Sequence, residues 1–187
     1  MNDVLDHFRE AGALLDGHFV LSSGLHSPQY LQCALALKGP DDAARFGQAI
    51  AEQFNGKAID TVASPAIGGI IIGFAVAQAL NVPFIWTERE SGLMTLRRGF
   101  SVDQGAKVLV VEDVITTGGS TRECIKALSD LGAGVVGAAS IIDRSDGTAD
   151  VGVPRVSLVT LDVPTYSPDQ CPLCECGITI SKPGSRQ

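Results

Sequence analysis

Val108-Leu109-Val110-Val111-Glu112-Asp113-Val114-Ile115-Thr116-Thr117-Gly118-Gly119-Ser120-Thr121 decides how this chain folds. Four apolar, mostly β-branched residues run into two adjacent carboxylates, and a loop of Thr, Gly and Ser leads to a helical pattern from Arg122 onward. A short apolar run without alternation reads as a strand buried on both faces, the kind a parallel sheet contains. The loop behind it turns backbone N–H groups toward an anion at a helix N-terminus. Carboxylates beside such a loop suit a ligand bearing both hydroxyls and phosphate, and a phosphorylated ribose is such a ligand. The competing reading of Glu112-Asp113 is a solvated strand end with a helix cap. The Thr-Thr-Gly-Gly-Ser-Thr loop directly behind it argues against that.

Two other phosphate motifs are excluded. A nucleoside-triphosphate loop needs Lys before the final Ser or Thr, and no Lys precedes Ser120. Gly132-Ala133-Gly134-Val135-Val136-Gly137 matches a dinucleotide fingerprint by letter. It follows a helix and precedes a strand, the reverse of the required context, so it reads as a turn.

Working outward, apolar residues at helical spacing predict an amphipathic helix over 2–15. Strands are expected at 18–22 and 30–37, joined by a Gly-Ser-Pro loop. A helix follows over 40–54, opened by Pro40-Asp41-Asp42 and closed by Gly56. Then come strand 59–63, helix 68–80, strand 83–86, an exposed connection, strand 107–111, helix 120–131, strand 135–142 and strand 155–161. Strands alternating with helices predict an α/β fold with a central parallel sheet flanked by helices. Ligands of such sheets sit beyond the carboxyl ends of the strands. The loops after Ala63, Val111 and Ile142 all fall there.

Bulk properties permit this reading. With 187 residues, 45% of them hydrophobic, one domain with a sizeable core is the default. The N-terminus lacks a secretory signature, and the longest apolar run, 67–80, is too short to span a bilayer and contains Gln78. A cytoplasmic chain with no membrane partner is expected. The net charge of −7 argues against general nucleic-acid binding. It also means that cations for a phosphorylated ligand must come locally, from a few Arg side chains, backbone N–H groups and a divalent metal.

The 108–121 segment resembles the phosphoribosyl-pyrophosphate (PRPP) motif of type I phosphoribosyltransferases. His18-Phe19-Val20-Leu21-Ser22-Ser23-Gly24-Leu25-His26-Ser27-Pro28 resembles the N-terminal segment of bacterial orotate phosphoribosyltransferases. Ser64-Pro65-Ala66-Ile67-Gly68-Gly69 resembles their pyrophosphate loop, Ile142-Asp143-Arg144 their base-side strand end, and Lys182-Pro183-Gly184-Ser185-Arg186 their ending. The resemblance implies one phosphoribosyltransferase domain, with an N-terminal hood (1–38), a core (39–165) and a tail (166–187). It implies a homodimeric, Mg2+-dependent enzyme of pyrimidine (UMP) synthesis that joins orotate to PRPP. Carried over residue by residue, PRPP would be held by Glu112, Asp113, Val114, Ile115, Thr116, Thr117, Gly118, Gly119 and Ser120. Catalysis would fall to Glu112, Asp113 and Arg89, and orotate to Thr116 and Arg144. Asp113 would meet the metal indirectly, through water. Ser23, Ser27, Ser64 and Gly68 are weaker candidates. A purine-type phosphoribosyltransferase and a non-catalytic PRPP-sensing regulator are the alternatives.

Departures from the family pattern matter. Many members carry Lys where Gly68 stands, and relatives often have Lys at the position of Ser22. The connection 87–100 suits a mobile lid, but it holds no Lys or His, and only Arg89 matches the family cleanly. Arg97-Arg98 reads equally well as a salt-bridged strand start. Arg144 could grip a carboxylate in bidentate fashion, or pair with Asp143 or Asp146. His26 reads as structural or surface-exposed. Cys171-Pro172-Leu173-Cys174-Glu175-Cys176 raises zinc, yet a closed site needs a fourth ligand, which Cys33, Cys124 or a partner chain could supply only by folding. Reduced structural thiols are the default expectation.

Overall fold

The computed structural model describes residues 2–21 and 24–183. In chain order these form α1 (Asn2–Glu10), β1 (Leu14–Val20), β2 (His26–Leu31), α2 (Cys33–Ala36), α3 (Pro40–Glu52), β3 (Thr61–Pro65), α4 (Gly69–Leu80), β4 (Phe84–Glu90), β5 (Leu93–Leu96), β6 (Lys107–Ile115), α5 (Gly119–Asp130), β7 (Gly134–Asp143) and β8 (Arg155–Thr160). A 3-10 turn (Pro168–Gln170) and a one-turn helix, α6 (Pro172–Glu175), follow. The chain divides into two compact units, Leu37–Leu161 and a hood assembled from the stretch up to Ala36 and that from Asp162 onward. The tail, expected as a separate stretch, thus clusters with the N-terminal segment.

The larger unit holds a six-stranded sheet in the order β5-β4-β3-β6-β7-β8. Every pairing is parallel except that of edge strand β5 with β4. The expected parallel sheet is therefore present with one antiparallel edge. Helices α3 and α4 pack together on one face and α5 covers the other. Val108, Leu109, Val110 and Val111 of β6 are wholly buried, because helices cover both faces of the sheet at this strand. Even-numbered Val108 and Val110 join the cluster beneath α5, with Cys124 and Leu128. α3 starts at Pro40 with Asp41 and Asp42 in its first turn, where a missing N–H costs nothing and negative charge meets the positive helix end. α4 stops at Asn81, which takes the left-handed conformation (φ 55°).

The hood holds the antiparallel β1–β2 hairpin, with Phe19 bridging to Ser181 and His26 to Tyr166. The tail therefore extends the hairpin on both sides.

Four expected boundaries change. The helix expected over 2–15 ends at Glu10: Gly12 turns left-handed (φ 66°) and the Ala13 N–H returns to the Phe8 carbonyl at 2.7 Å. Leu14 and Leu15, which fit the helical period, begin β1 instead. The strand expected over 30–37 runs from His26 to Leu31, and Cys33–Ala36 is helical. β4 continues past Trp86 to Glu90 and turns at Ser91-Gly92 (φ 50° and 87°) into β5, so a hairpin fills most of the expected lid. β6 continues past Val111 to Ile115, still paired with β7 through Ile115↔Asp143.

Gly47 marks the closest approach of α3 to α4. A methyl group there would lie 2.6 Å from the Ala75 carbonyl carbon and 2.7 Å from its oxygen. Backbone cannot yield as a side chain can. Gly47→Ala is expected to lower stability by about 2–3 kcal/mol, read as an earlier urea midpoint with an unchanged slope.

Candidate functional site

Because β6 carries on through Glu112 and Asp113, its pleat sends them to opposite faces. Glu112 follows Val108 and Val110 toward α5, where the Thr121 hydroxyl donates to its Oε2. Asp113 follows Leu109 and Val111 toward α4. A Cβ at Gly68 would lie 2.7 Å from Asp113 Oδ1, so the carboxylate sits against the 65–69 loop. The pair expected to act together is divided, one carboxylate to each loop. Burial pushes the Glu112 carboxyl up to about 7; the Thr121 hydrogen bond opposes this and the Asp113 charge adds to it. Asp113 Oδ1 accepts from the Val114 N–H at 2.9 Å.

On the α5 side lies a cleft of about 230 Å3 lined by Arg89, Glu112, Glu123 and residues 114–120. Gly118 adopts φ 73° at the N-cap of α5 and no side chain caps the helix. Its first N–H groups therefore have no side-chain acceptor and can serve an anion. Glycine is required here: a Cβ at Gly118 would also meet Val151 Cγ1 at 2.8 Å. Thr116, Thr117 and Ser120 are exposed along the cleft, while the Ile115 side chain is buried. Ile115 contributes backbone instead, its carbonyl accepting from the Arg144 N–H at 2.7 Å. That bond joins the loop to the end of β7.

Sequence reasoning missed Arg122. Its Nη1 donates to the Thr117 carbonyl at 2.8 Å and the Asp150 carbonyl at 2.5 Å, bracing the loop from outside the cleft. A cation in the first turn of a helix whose dipole disfavours it is the signal that could have flagged it.

The 65–69 loop has the same architecture one strand away. The Ala66–Ile67 peptide is cis, and α4 also begins with no side-chain cap. A Cβ at Gly69 would stand 2.9 Å from the Val111 carbonyl, so this turn needs glycine to lie against β6. At Gly68 the space a side chain would need is taken by Asp113, a physical reason for glycine where relatives carry Lys. Ser64 is not at the surface. It is wholly buried, and its Oγ has no hydrogen-bond partner, so its hydroxyl lies beneath the loop rather than in it.

Arg89 lines the cleft, donating to Glu123 at 2.5 Å and to the Gly92 carbonyl at 2.8 Å. Arg97 pairs with Glu90 at 3.1 Å, and Arg98 with Glu88. The salt-bridged reading of Arg97-Arg98 therefore holds, and both stay outside the cleft lining. Asp143 pairs with Arg155 at 2.7 Å, and Ser145 donates to it from both N–H and hydroxyl. Burial raises the Asp143 carboxyl, but the Ser145 and Arg155 bonds outweigh it and hold it below the usual range. Asp143 thus has an ion-pair partner in Arg155, twelve residues away in sequence. Ser27 is buried within the hood hairpin, its Oγ accepting from the Gln29 N–H at 3.3 Å. Ser22 and Ser23 lie outside the described residues, as do residues 184–187 of the ending.

A carboxyl raised from 4.5 to about 7 contributes stability below pH 4.5 that is lost as the pH rises through 7. In ligand-free, metal-free protein, Glu112→Gln should exceed the parent at pH 8 by on the order of 3 kcal/mol, and match it near pH 4.5. Urea unfolding at both pH values checks this; an equal gap at each would refute it. Arg122→Ala should raise the KM for a phosphorylated substrate about tenfold, the loss of roughly 1.4 kcal/mol of bracing, with kcat less affected.

A family model described as a phosphoribosyl transferase domain matches residues 38–164. The orotate phosphoribosyltransferase of Caulobacter vibrioides NA1000 is 52% identical over 188 residues, covering 100% of this chain and 97% of that protein. That of Desulforamulus reducens is 49% identical over 185 residues, covering 99% and 97%. Among solved structures, orotate phosphoribosyltransferase from Aeropyrum pernix superposes with a TM-score of 0.72 at 28% identity, over 84% of this chain and 93% of that one. Two uncapped helices and a divided acid pair at the carboxyl edge of a parallel sheet, carried by a sequence this close to them over its whole length, place the chain in the phosphoribosyltransferase family, among the orotate phosphoribosyltransferases.

Proposed function

We propose that the chain transfers the phosphoribosyl group of PRPP to orotate, forming orotidine 5′-phosphate and pyrophosphate, a step of pyrimidine synthesis. The observation that carries the choice of base is the span of the kinship. The family model begins at residue 38, whereas the alignments to orotate phosphoribosyltransferases, about half identical as a whole, cover 99–100% of this chain and so take in the N-terminal stretch before it.

The divided acid pair suits PRPP, a ribose with an anion at each end. The 5′-phosphate would take the α5 N-terminus and residues 116–120, and pyrophosphate the α4 N-terminus at Gly68-Gly69. Ribose would lie between, its hydroxyls donating to Glu112. Those bonds favour the ionised carboxyl, so binding near pH 7 would draw off its proton. As pyrophosphate departs, positive charge develops on the ribose, and a fixed carboxylate stabilises it more than it stabilises the ground state. Arg89 would be the side-chain cation of the cleft, once turned from Glu123. Thr116 would stand near the base, and Arg144 would grip the orotate carboxylate with its planar fork.

The donor set fits Mg2+. The carboxylates of Glu112 and Asp113 and the loop hydroxyls offer only hard oxygen, and this cation binds through one or two carboxylates plus substrate phosphates. Asp113, beside the pyrophosphate loop, would hold it through water. When bound it would neutralise charge on the leaving group, which a cleft this poor in cations does not do by itself.

A homodimer agrees with the exposed Ile71 and Phe74 on α4 and Ile67 in the loop before it, since exposed apolar side chains gathered together favour cover. No helix among the described residues is long and apolar enough to cross a membrane, which agrees with a cytoplasmic enzyme.

Pyrophosphate release from PRPP, with orotate, adenine, hypoxanthine and xanthine offered in turn, tests the reading. Release with orotate alone is expected. Release with a purine would favour the purine-type enzyme, and silence with every base a PRPP-binding regulator. Asp113→Asn should cut kcat by about 100-fold or more while leaving the circular dichroism unchanged; near-normal turnover would sink its role.

A further inference from the structure

Outside the cleft, the hood brings together four side chains that the transfer reaction does not use. His18 stands on β1, His26 on β2, Cys171 just before α6 and Cys174 within it. One donor atom from each lies within 4.8 Å of all the others. His18 Nε2 is 3.0 Å from His26 Nδ1, 3.5 Å from Cys171 Sγ and 3.7 Å from Cys174 Sγ, and His26 Nδ1 is 3.4 Å from Cys174 Sγ. We propose that these four residues bind one structural Zn2+ in a closed Cys2His2 site that pins the tail to the N-terminal hairpin.

The spacings match a tetrahedron around zinc. Zn–N bonds of about 2.0–2.1 Å and Zn–S bonds of about 2.3 Å put ligand atoms roughly 3.3–3.8 Å apart along the edges; four of the six separations run from 3.0 to 3.7 Å and all six lie within 4.8 Å. The contact on the far ring nitrogen points the same way. His18 Nδ1 lies 2.8 Å from the Ile178 carbonyl, which can only accept, so in the neutral imidazole that a metal requires the hydrogen belongs on Nδ1 and the lone pair on Nε2. That is how a metal-ligating imidazole is oriented, by a carbonyl on its far nitrogen. Two imidazole nitrogens and two thiols face one another in this one cluster. A soft-to-borderline cation satisfies all four lone pairs at once, and an S2N2 tetrahedral set selects zinc.

The chain is shaped for this at both ends. The N–H groups of Cys174 and Glu175 both return to the Cys171 carbonyl, at 3.0 and 3.2 Å, closing a tight turn that aims the two sulfurs the same way. In the hairpin, Val20 pairs with His26, and His18 sits in the register shift between Asp16 and Phe19, its ring centroid 4.9 Å from that of His26. His18, His26 and Cys171 are buried. With four protein ligands the site has no open position, which marks it as structural rather than catalytic. Cys176 is exposed beside it, and Cys33 and Cys124 are buried elsewhere; Cys124 belongs to the cluster under α5, where burial pushes its thiol up to about 12. The site joins residues up to 156 positions apart. A small unit built from the two ends of a chain gains most from such a clip.

Tag-free, full-length protein grown with zinc, desalted and analysed by mass spectrometry for metals should carry about one zinc per chain. Exchange with Co2+ should give the visible bands of a tetrahedral site and thiolate charge transfer. Cys174→Ser and His18→Gln should each lose the metal, and Cys176→Ser should keep it. Should the ligand variants not fold, the parent protein decides. A chelator should expose two thiols to a thiol reagent and lower the Tm on the order of 10 °C, and added zinc should reverse both. Protein that stays metal-free after zinc loading, thiols that react alike with and without zinc, or iron in place of zinc would each overturn the proposal. None of these readouts involves turnover, so they stand or fall apart from the transfer reaction.

Discussion

β6 lies between β3 and β7 with four consecutive side chains wholly removed from water, and its two-residue pleat governs what arrives at the carboxyl edge of the sheet. Residues 108, 110 and 112 serve the α5 face and residues 109, 111 and 113 the α4 face. A one-residue slip of this strand would exchange the two carboxylates between faces and put apolar side chains out of their clusters. The buried ladder forbids it, since each flanking helix has its own complementary set, Cys124 and Leu128 among them under α5. Stability of the core and position of the acids are thus one constraint. The site is accurate because the strand beneath it cannot move.

The same edge explains how an acidic chain can hold an anionic ligand. The cleft lining contains Arg89 against Glu112 and Glu123, and Arg89 already pairs with Glu123. Side-chain charge therefore offers little net attraction. Two helices that start at this edge without side-chain caps present oriented N–H groups and positive dipole ends instead. Glycine at 68, 69 and 118 lets backbone approach where any Cβ would strike Asp113, Val111 or Val151. On the proposed reading, backbone would supply the anion sites, and burial, which pushes the Glu112 carboxyl up to about 7, would lessen charge repulsion until a ligand engages it.

Much of this was legible before the structure. The β-branched run, the Gly-rich loop and the alternation of strands and helices located both the sheet and its carboxyl edge, because each signal is local. What stayed hidden depends on partners distant in sequence. Where β6 ends is decided by its ladder with β7, so Glu112 and Asp113 read as a loop pair when they are pleated strand residues. Arg155 takes Asp143 across a neighbouring strand, and Ser64 disappears beneath α4 because Gly69 and Gly73 let the helix descend onto it. The 87–100 connection hid its hairpin for a similar reason: polar, Gly-punctuated sequence suits an irregular loop, but Ser91-Gly92 makes a tight hairpin turn and Arg97 and Arg98 form ion pairs just beyond the returning strand.

The hood shows the limit of local reading most clearly. Leu14 and Leu15 satisfy a helical period and still form a strand, since Gly12 ends the helix and the hairpin with β2 outweighs propensity in so short a segment. Cys171 and Cys174 announce a metal motif, but their would-be partners lie on the far side of the chain, at His18 and His26. No spacing rule connects them. The link is topological: the tail returns as a strand beside β1, with Ser181 paired to Phe19 and Tyr166 to His26, and only that return carries the thiols to the imidazoles. A unit whose apolar core is limited to a few side chains, such as Phe8, Leu14 and Phe19, has little burial to hold its two sequence-distant halves together. A coordinate cross-link at their junction supplies what packing at that size does not.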